Sequence, residues 1–280
     1  MTLGVESIGH RVPRGDFAGR VHSAFAHACN IACGGSLLTV VARRGGNGPT
    51  SLLLGAGAPP DLRRWFDVGE TLQCRRGAAR GGRVDIELAR AEVWRPLPRR
   101  ARGPAPLLRA RLRRATAWLA QQRGTRSVID GAAVHVTAAL IAACCALDGP
   151  LAAQHAARLI GWGEGLTPAG DDYLVGLCAG LDAMLNDDPA RATCRAAITE
   201  VLLGSLPRTT AISAHWLRLA AQGDYGERLL DARDALLSDA PRAEVDAALR
   251  AACAVGATSG ADTLAGLLAA LAAWPPTVTE

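Results

Sequence analysis

Lysine is missing altogether: all 31 basic residues of this 280-residue chain are arginine. That absence excludes two mechanisms for the chain acting alone. A pyridoxal phosphate enzyme needs a lysine for its Schiff base, and a Walker A loop needs one for its phosphates. Aromatic residues are scarce too, at 4%. With so few rings among the arginines there is no stacking platform for bases, so nucleic acid is not an expected partner despite a formal charge of +5. The arginine clusters, such as Arg99-Arg100-Ala101-Arg102, are short and read as a solvated linker face. No apolar run reaches the roughly 20 residues of a membrane span, and the stretch from Ala132 to Leu147 is interrupted by His135, read as a satisfied buried histidine. Met1 to Glu6 has neither a charged n-region nor an apolar h-region, so a cytoplasmic protein with reduced thiols is expected.

Other signatures are lacking as well. The eight cysteines form no disulfide framework; Cys144, Cys145, Cys178, Cys194 and Cys253 fall on apolar helix faces, as small core hydrophobes do. His27, Cys29 and Cys33 offer three metal-ligand types but lack a second pair at zinc-site spacing, and read as structural. There is no Gly-x-Ser-x-Gly elbow, and the two-residue spacing of Ser213 and His215 turns them to different faces of a helix. No repeat of fixed period and no low-complexity tract is evident.

What is present, with 49% apolar residues, is enough for a sizeable core. Up to about residue 98 the apolar runs are short and broken by turn residues: Val21 to Cys33, Ser36 to Ala42, Ser51 to Leu54 and Val84 to Trp94, with Gly45-Gly46-Asn47-Gly48-Pro49 as a turn. From about residue 104, after a linker over Pro96 to Pro106, helical spacing takes over, as in Leu108, Leu112, Ala115 and Leu119. The expected class is α+β, a β-rich domain over 1–98 followed by a larger helical domain over 104–280.

Three helix starts in the second half carry the chemistry. In the first, Gly161-Trp162-Gly163-Glu164-Gly165-Leu166-Thr167-Pro168 leads into Asp171-Asp172, with Thr167 expected as N-cap and Pro168 as first helical residue. In the second, Thr209, Thr210 and Ser213 open a helix, with Arg208 beside them as a candidate anion clamp. In the third, Thr258, Ser259 and Gly260 precede Asp262, close to a capping box from Ser259. Capping needs one hydroxyl per helix, whereas free N–H groups and the positive dipole end of such starts favour an anion.

These residues carry a resemblance. Gly163-x-Gly165-Leu166-Thr167-Pro168-x-x-Asp171-Asp172, then Thr209-Thr210-Ala211-x-Ser213 with Ala220-Ala221-Gln222-Gly223, then Gly256-x-Thr258-Ser259-Gly260-Ala261-Asp262-Thr263-Leu264-x-Gly266 resemble the AllH family in order and spacing. The resemblance covers about residues 158 to 273, with scattered agreement before it at Asn30 and Gly48-Pro49. It implies a subunit of the oxamate carbamoyltransferase of anaerobic allantoin breakdown, working with FdrA-like and AllG-like subunits on a small anionic substrate. On that footing Gly163, Gly165, Thr167, Thr209, Thr210, Ser213, Thr258, Ser259 and Gly260 are expected to bind substrate. Asp171, Asp172 and Asp262 are expected to orient an amine, act as base or hold a divalent ion. Two other readings stand beside it: a non-catalytic scaffold or regulatory subunit, and a metal-dependent hydrolase of a small anion.

Overall fold

A computed structural model describes residues 1–96, 104–123 and 132–274. The chain divides into two compact units, Met1–Leu97 and Pro98–Glu280. The class is α+β. The Arg99-Arg100-Ala101-Arg102 cluster and most of the expected linker lie outside the described residues.

The first unit is a β-barrel. Its strands are β1 (Thr2–Gly9), β2 (Phe17–Ala24), β3 (Ala28–Cys33), β4 (Ser36–Val41), β5 (Ser51–Leu54), β6 (Thr71–Arg75), β7 (Ala78–Arg80), β8 (Asp85–Glu87) and β9 (Glu92–Trp94). They lie in the order β5-β4-β3-β2-β6-β7-β8-β1-β9, and the additional pairing of β5 with β1 closes the sheet on itself. β1 makes closure work: one edge pairs antiparallel with β5, while the other takes β8 along Thr2 to Gly4 and β9 along Ser7 to Gly9. Alternation then sends Leu3, Val5, Leu72 and Cys74 inward beside Val21, Ile31, Leu38, Leu52 and Phe66. The run from Val21 to Cys33 is two strands, bent back at residues 25–27. Cys29 is wholly buried in this core, and burial pushes its thiol up to about 12, with Glu70 adding to the effect. A thiol so reluctant to ionise is a core hydrophobe.

The second unit holds, among the described residues, the helices α1 (Ala105–Arg123), α2 (Ala132–Cys145), α3 (Gly149–Leu159), α4 (Ala169–Ala183), α5 (Pro189–Gly204), α6 (Ala211–Ala221), α7 (Glu227–Leu237), α8 (Arg242–Cys253) and α9 (Ser259–Ala273). None of them is long and apolar enough to cross a membrane. α4 and α9 form the centre, running parallel with their starts together. Their backbones touch: a Cβ on Gly176 would stand 1.8 Å from the Thr263 carbonyl oxygen, and one on Gly266 would stand 1.9 Å from that of Tyr173. Only glycine fits at either crossing point.

That crossing is symmetric, which corrects the expectation of no repeat. α4 and α9 each have 15 residues, from Ala169 and Ser259, an offset of 90 (259 − 169). At that offset Gly170, Asp172, Leu174, Gly176, Leu177, Ala179, Leu181 and Ala183 recur as Gly260, Asp262, Leu264, Gly266, Leu267, Ala269, Leu271 and Ala273. The packing repeats as well. Gly170 presses on the end of α3, where a Cβ would be 2.1 Å from the Leu159 oxygen, and Gly260 presses on the end of α8, at the same 2.1 Å from the Ala252 oxygen. α2 packs on α9 as α7 packs on α4, and α1 packs on α9 as α6 packs on α4. The repeat hides in the sequence because most matching positions are Gly, Ala and Leu, residues that coincide by chance in a chain of this composition.

Two further expectations change. His135 is exposed, as is its neighbour Val134, because α2 is apolar on nearly every side and so marks no buried face. Cys145 is exposed and Cys253 half-buried, while Cys144, Cys178 and Cys194 are in the core.

Candidate functional site

The starts of α4, α6 and α9 converge, bringing together segments nearly a hundred positions apart. Thr167 Oγ1 and Ser259 Oγ are 2.8 Å apart, joining the α4 loop to α9. Thr210 Oγ1 donates to the Leu166 carbonyl at 2.6 Å, joining the same loop to α6. Thr209 donates to Asp171 Oδ2, and the Gly161 N–H donates to Asp171 Oδ1 at 2.9 Å.

Two caps differ from expectation. Pro168 is itself the N-cap of α4, at φ −51° and ψ 138°, and Thr167 lies outside the helix with its hydroxyl engaged by Ser259. At α9 the N-cap is Thr258, which makes no side-chain cap bond, and Ser259 is the first helical residue. The capping box is therefore absent, and Asp262 is freed from that duty. Thr210 does cap α6, accepting from the Ser213 N–H at 3.1 Å. Thr258 is exposed, Gly163 is half-buried and Gly165 is exposed, both glycines with positive φ, while Gly260 is fixed by its contact with α8. Arg208 is exposed, with no ion pair among the described residues.

The three carboxylates are buried, with Asp171 and Asp262 1% exposed and Asp172 9%. Burial raises Asp171, against which the Thr209 hydroxyl, the Gly161 N–H and the Ser213 hydroxyl favour its charged form. Asp172 is pushed further, up to about 8, by burial and then by the charges of Asp262 and Asp171, with the Ser259 and Thr167 hydroxyls opposing. Asp172 is thus a carboxylic acid at neutral pH, and its Oδ2 is buried without a hydrogen-bond partner among the described residues. Such an atom is unusual in a native interior, where a missing partner costs about 1–3 kcal/mol. His215 is buried next on α6, in edge-to-face contact with Trp216 at 5.6 Å between centroids, and burial lowers it to about 4, so it is neutral.

Among the described residues no three His, Cys, Asp or Glu side chains form a group able to hold a metal ion, so the divalent-ion and metal-hydrolase readings lack a ligand set. What the arrangement can do is handle a proton. A neutral carboxyl group stands among carboxylates and hydroxyls at aligned helix starts, under a loop that reaches solvent at Glu164, Gly165 and Leu166.

Sequence reasoning missed a second buried cluster. Arg195 Nε donates to Asp182 Oδ1 at 2.7 Å, its other nitrogens reach Thr199 and the Ala220 carbonyl, and the Tyr225 hydroxyl donates to Asp182 Oδ2. In a chain so rich in arginine, no single one stands out. The usable signal was an Asp and an Arg at opposed positions of two helices.

Comparison with known families places both units. Residues 159–271 match the family described as oxamate carbamoyltransferase subunit AllH, and residues 3–93 match the AllH family N-terminal domain. No curated protein and no solved structure matches the chain. The first match spans the three convergent helix starts and the second spans the barrel; together they cover well over half of the chain, which belongs to the AllH family.

Proposed function

We propose that this chain is a working subunit of an oxamate carbamoyltransferase-type complex, and that the meeting point of α4, α6 and α9 takes part in carbamoyl transfer between carbamoyl phosphate and oxamate or a related small anion. The observation that carries the reading is Asp172: a buried carboxyl group with a raised pKa and an unpartnered oxygen, inside the segment that matches the family. Perturbed acids of this kind concentrate where protons move. The amide nitrogen must lose a proton when the carbamoyl carbon joins it, and the acceptor is the carboxylate of Asp262 beside the protonated Asp172. Thr167, Ser259, Thr209 and Thr210 tie the converging loops together through their hydroxyls, and Ser213, Thr258 and the backbone at Gly163 and Gly165 are offered as donors for an anion. The partners are FdrA-like and AllG-like subunits, and allantoin breakdown in the cytoplasm is the setting this implies. Alone, a lysine-free chain without a nucleophile–base pair at this site is poorly equipped to hold a phosphate.

A scaffold role has one observation of its own. Leu166, at the tip of the loop, is 52% exposed and fits a contact with a partner subunit.

The test is transfer measured with the chain alone, with its partners, and with partners carrying Asp172→Asn. Little turnover by the isolated chain, full turnover by the complex and a loss of at least a hundredfold with Asp172→Asn are expected. A complex that keeps its rate within a few-fold with Asp172→Asn, but falls apart with Leu166→Asp, would leave the scaffold role in place of the catalytic one.

A further inference from the structure

The symmetry of the helical unit assigns different duties to the three acids. Asp172 and Asp262 occupy equivalent positions, each one turn before the glycine at which α4 and α9 cross, Gly176 and Gly266. Asp171 has no counterpart, since Ala261 stands at the equivalent place. Both oxygens of Asp171 are engaged, one by the Gly161 N–H and one by Thr209, whereas Asp172 Oδ2 has no partner among the described residues.

We infer that Asp172 and Asp262 are the two halves of one acid–carboxylate pair set about the pseudo-two-fold axis relating α4 to α9, and that the pair, holding a single proton, keeps one carboxylate open to accept the proton of the substrate's amide nitrogen. Asp171 is a positioning residue that ties the glycine loop and Thr209 to α4. The inference rests on the proposed transfer reaction only for the last step, the use of the proton.

The physical case is one of equivalent position on two touching helices and of environment. Two carboxylates held close together inside a protein cannot both ionise without a large cost, so one keeps a proton. The charges acting on Asp172 are those of Asp262 from α9 and Asp171 from its own helix, the hydroxyls are those of Ser259 from α9 and Thr167 from the loop, and α6 brings Ser213 to Asp171. On α6 the nearest titratable group, His215, is neutral. In the forward transfer the C–O bond to phosphate breaks and the C–N bond forms. The nitrogen's proton passes to the pair and leaves on the departing phosphate, so the pair ends as it began.

The pair is tested on the full-length chain by following the carboxyl carbons of labelled aspartate by NMR from pH 3 to 10. Asp172 and Asp262 should titrate in two shared steps, the upper one near 8. Asp262→Asn should move the Asp172 titration down and leave it as one uncoupled step still raised by burial, and Asp172→Asn should return Asp262 to one step. Because Asp172 is protonated in the folded chain and ionised when unfolded, its stabilising contribution is full below the unfolded pKa and is lost as pH rises through about 8. Buried His215, lowered to about 4, acts oppositely, its contribution being lost as pH falls below about 6.5, so the window from 6.5 to 8 reports the pair. Stability of the wild-type chain should fall across that window and stay level in Asp172→Asn. A single ordinary titration step for each carboxyl in the wild-type chain overturns the pair, without need of any variant. Coupled titration together with an unchanged transfer rate in both Asn variants leaves the pair standing and overturns its use in the reaction.

Discussion

The helical unit holds two clusters of charged groups in its interior that are opposite in construction. At Asp182, Arg195 and Tyr225 every charge meets its opposite or a hydrogen bond, and the guanidinium also reaches the carbonyl of Ala220 in the last turn of α6. At Asp171, Asp172 and Asp262 carboxylates meet one another and neutral hydroxyls. Arginine follows the first pattern elsewhere: Arg111 donates to the carbonyls of Ala235 and Leu236 at the end of α7, and Arg191 to that of Met184 at the end of α4. Helix ends are thus closed by cations, as the macrodipole favours, while Arg208, just ahead of α6, is exposed and makes no ion pair among the described residues. One cluster settles its charges within the protein. In the other, Asp172 Oδ2 is left without a hydrogen-bond partner among the described residues.

The largest effect is expected where the settled cluster is cut. Arg195→Ala strands Asp182, and removal of one member of a buried pair costs about 3–5 kcal/mol. The unfolding free energy in urea should drop by that amount, and the double change Arg195→Met with Asp182→Leu should recover most of it. A single variant as stable as wild type would mean that the two clusters do not differ as described.

Asp171→Asn comes next and probes the boundary between the clusters. Asn offers one acceptor where Asp171 offers two, so either the Gly161 N–H or the Thr209 hydroxyl loses its bond or must turn, at a cost of roughly 1–2 kcal/mol. Stability and transfer rate should fall together here, while Asp172→Asn separates them by lowering the rate at equal or higher melting temperature. If Asp171→Asn abolishes transfer with melting unchanged, Asp171 belongs with the pair and not with the loop.

The sequence made much of this legible, for physical reasons. Apolar positions at helical spacing marked α4, α6 and α9, and paired hydroxyls with acids marked their starts as more than caps. The exact duties were hidden, because a hydroxyl's partner depends on which helices meet: Thr167 and Ser259 look like caps one at a time and turn out to bond each other. The axis relating Asp172 to Asp262 was hidden for the same reason. In the barrel, β1 was overlooked since Ser7 and Gly9 take inward positions where apolar side chains would mark a strand, and its pairing with β5, about fifty residues on, is a property of closure that no local pattern records.

The smallest effect, and the control for both clusters, lies on the barrel surface. Arg43 grips Glu6 through two hydrogen bonds, at 2.8 Å from Nε and 2.7 Å from the terminal nitrogen, a geometry as good as that of Arg195 with Asp182. The Arg43 hydrogen bond holds the Glu6 carboxyl below its ordinary range, so its contribution is present at neutral pH and lost as pH falls through that lowered value. Yet the side chains are 60% and 45% exposed, and water already serves both ions well in the unfolded chain. Glu6→Gln should therefore leave the melting temperature at pH 7 unchanged within the error of the scan, at both low and high salt. Equal losses from Glu6→Gln and Arg195→Ala would show that geometry alone sets the worth of a pair. A large difference assigns it to burial, the property that the three aspartates share with Arg195.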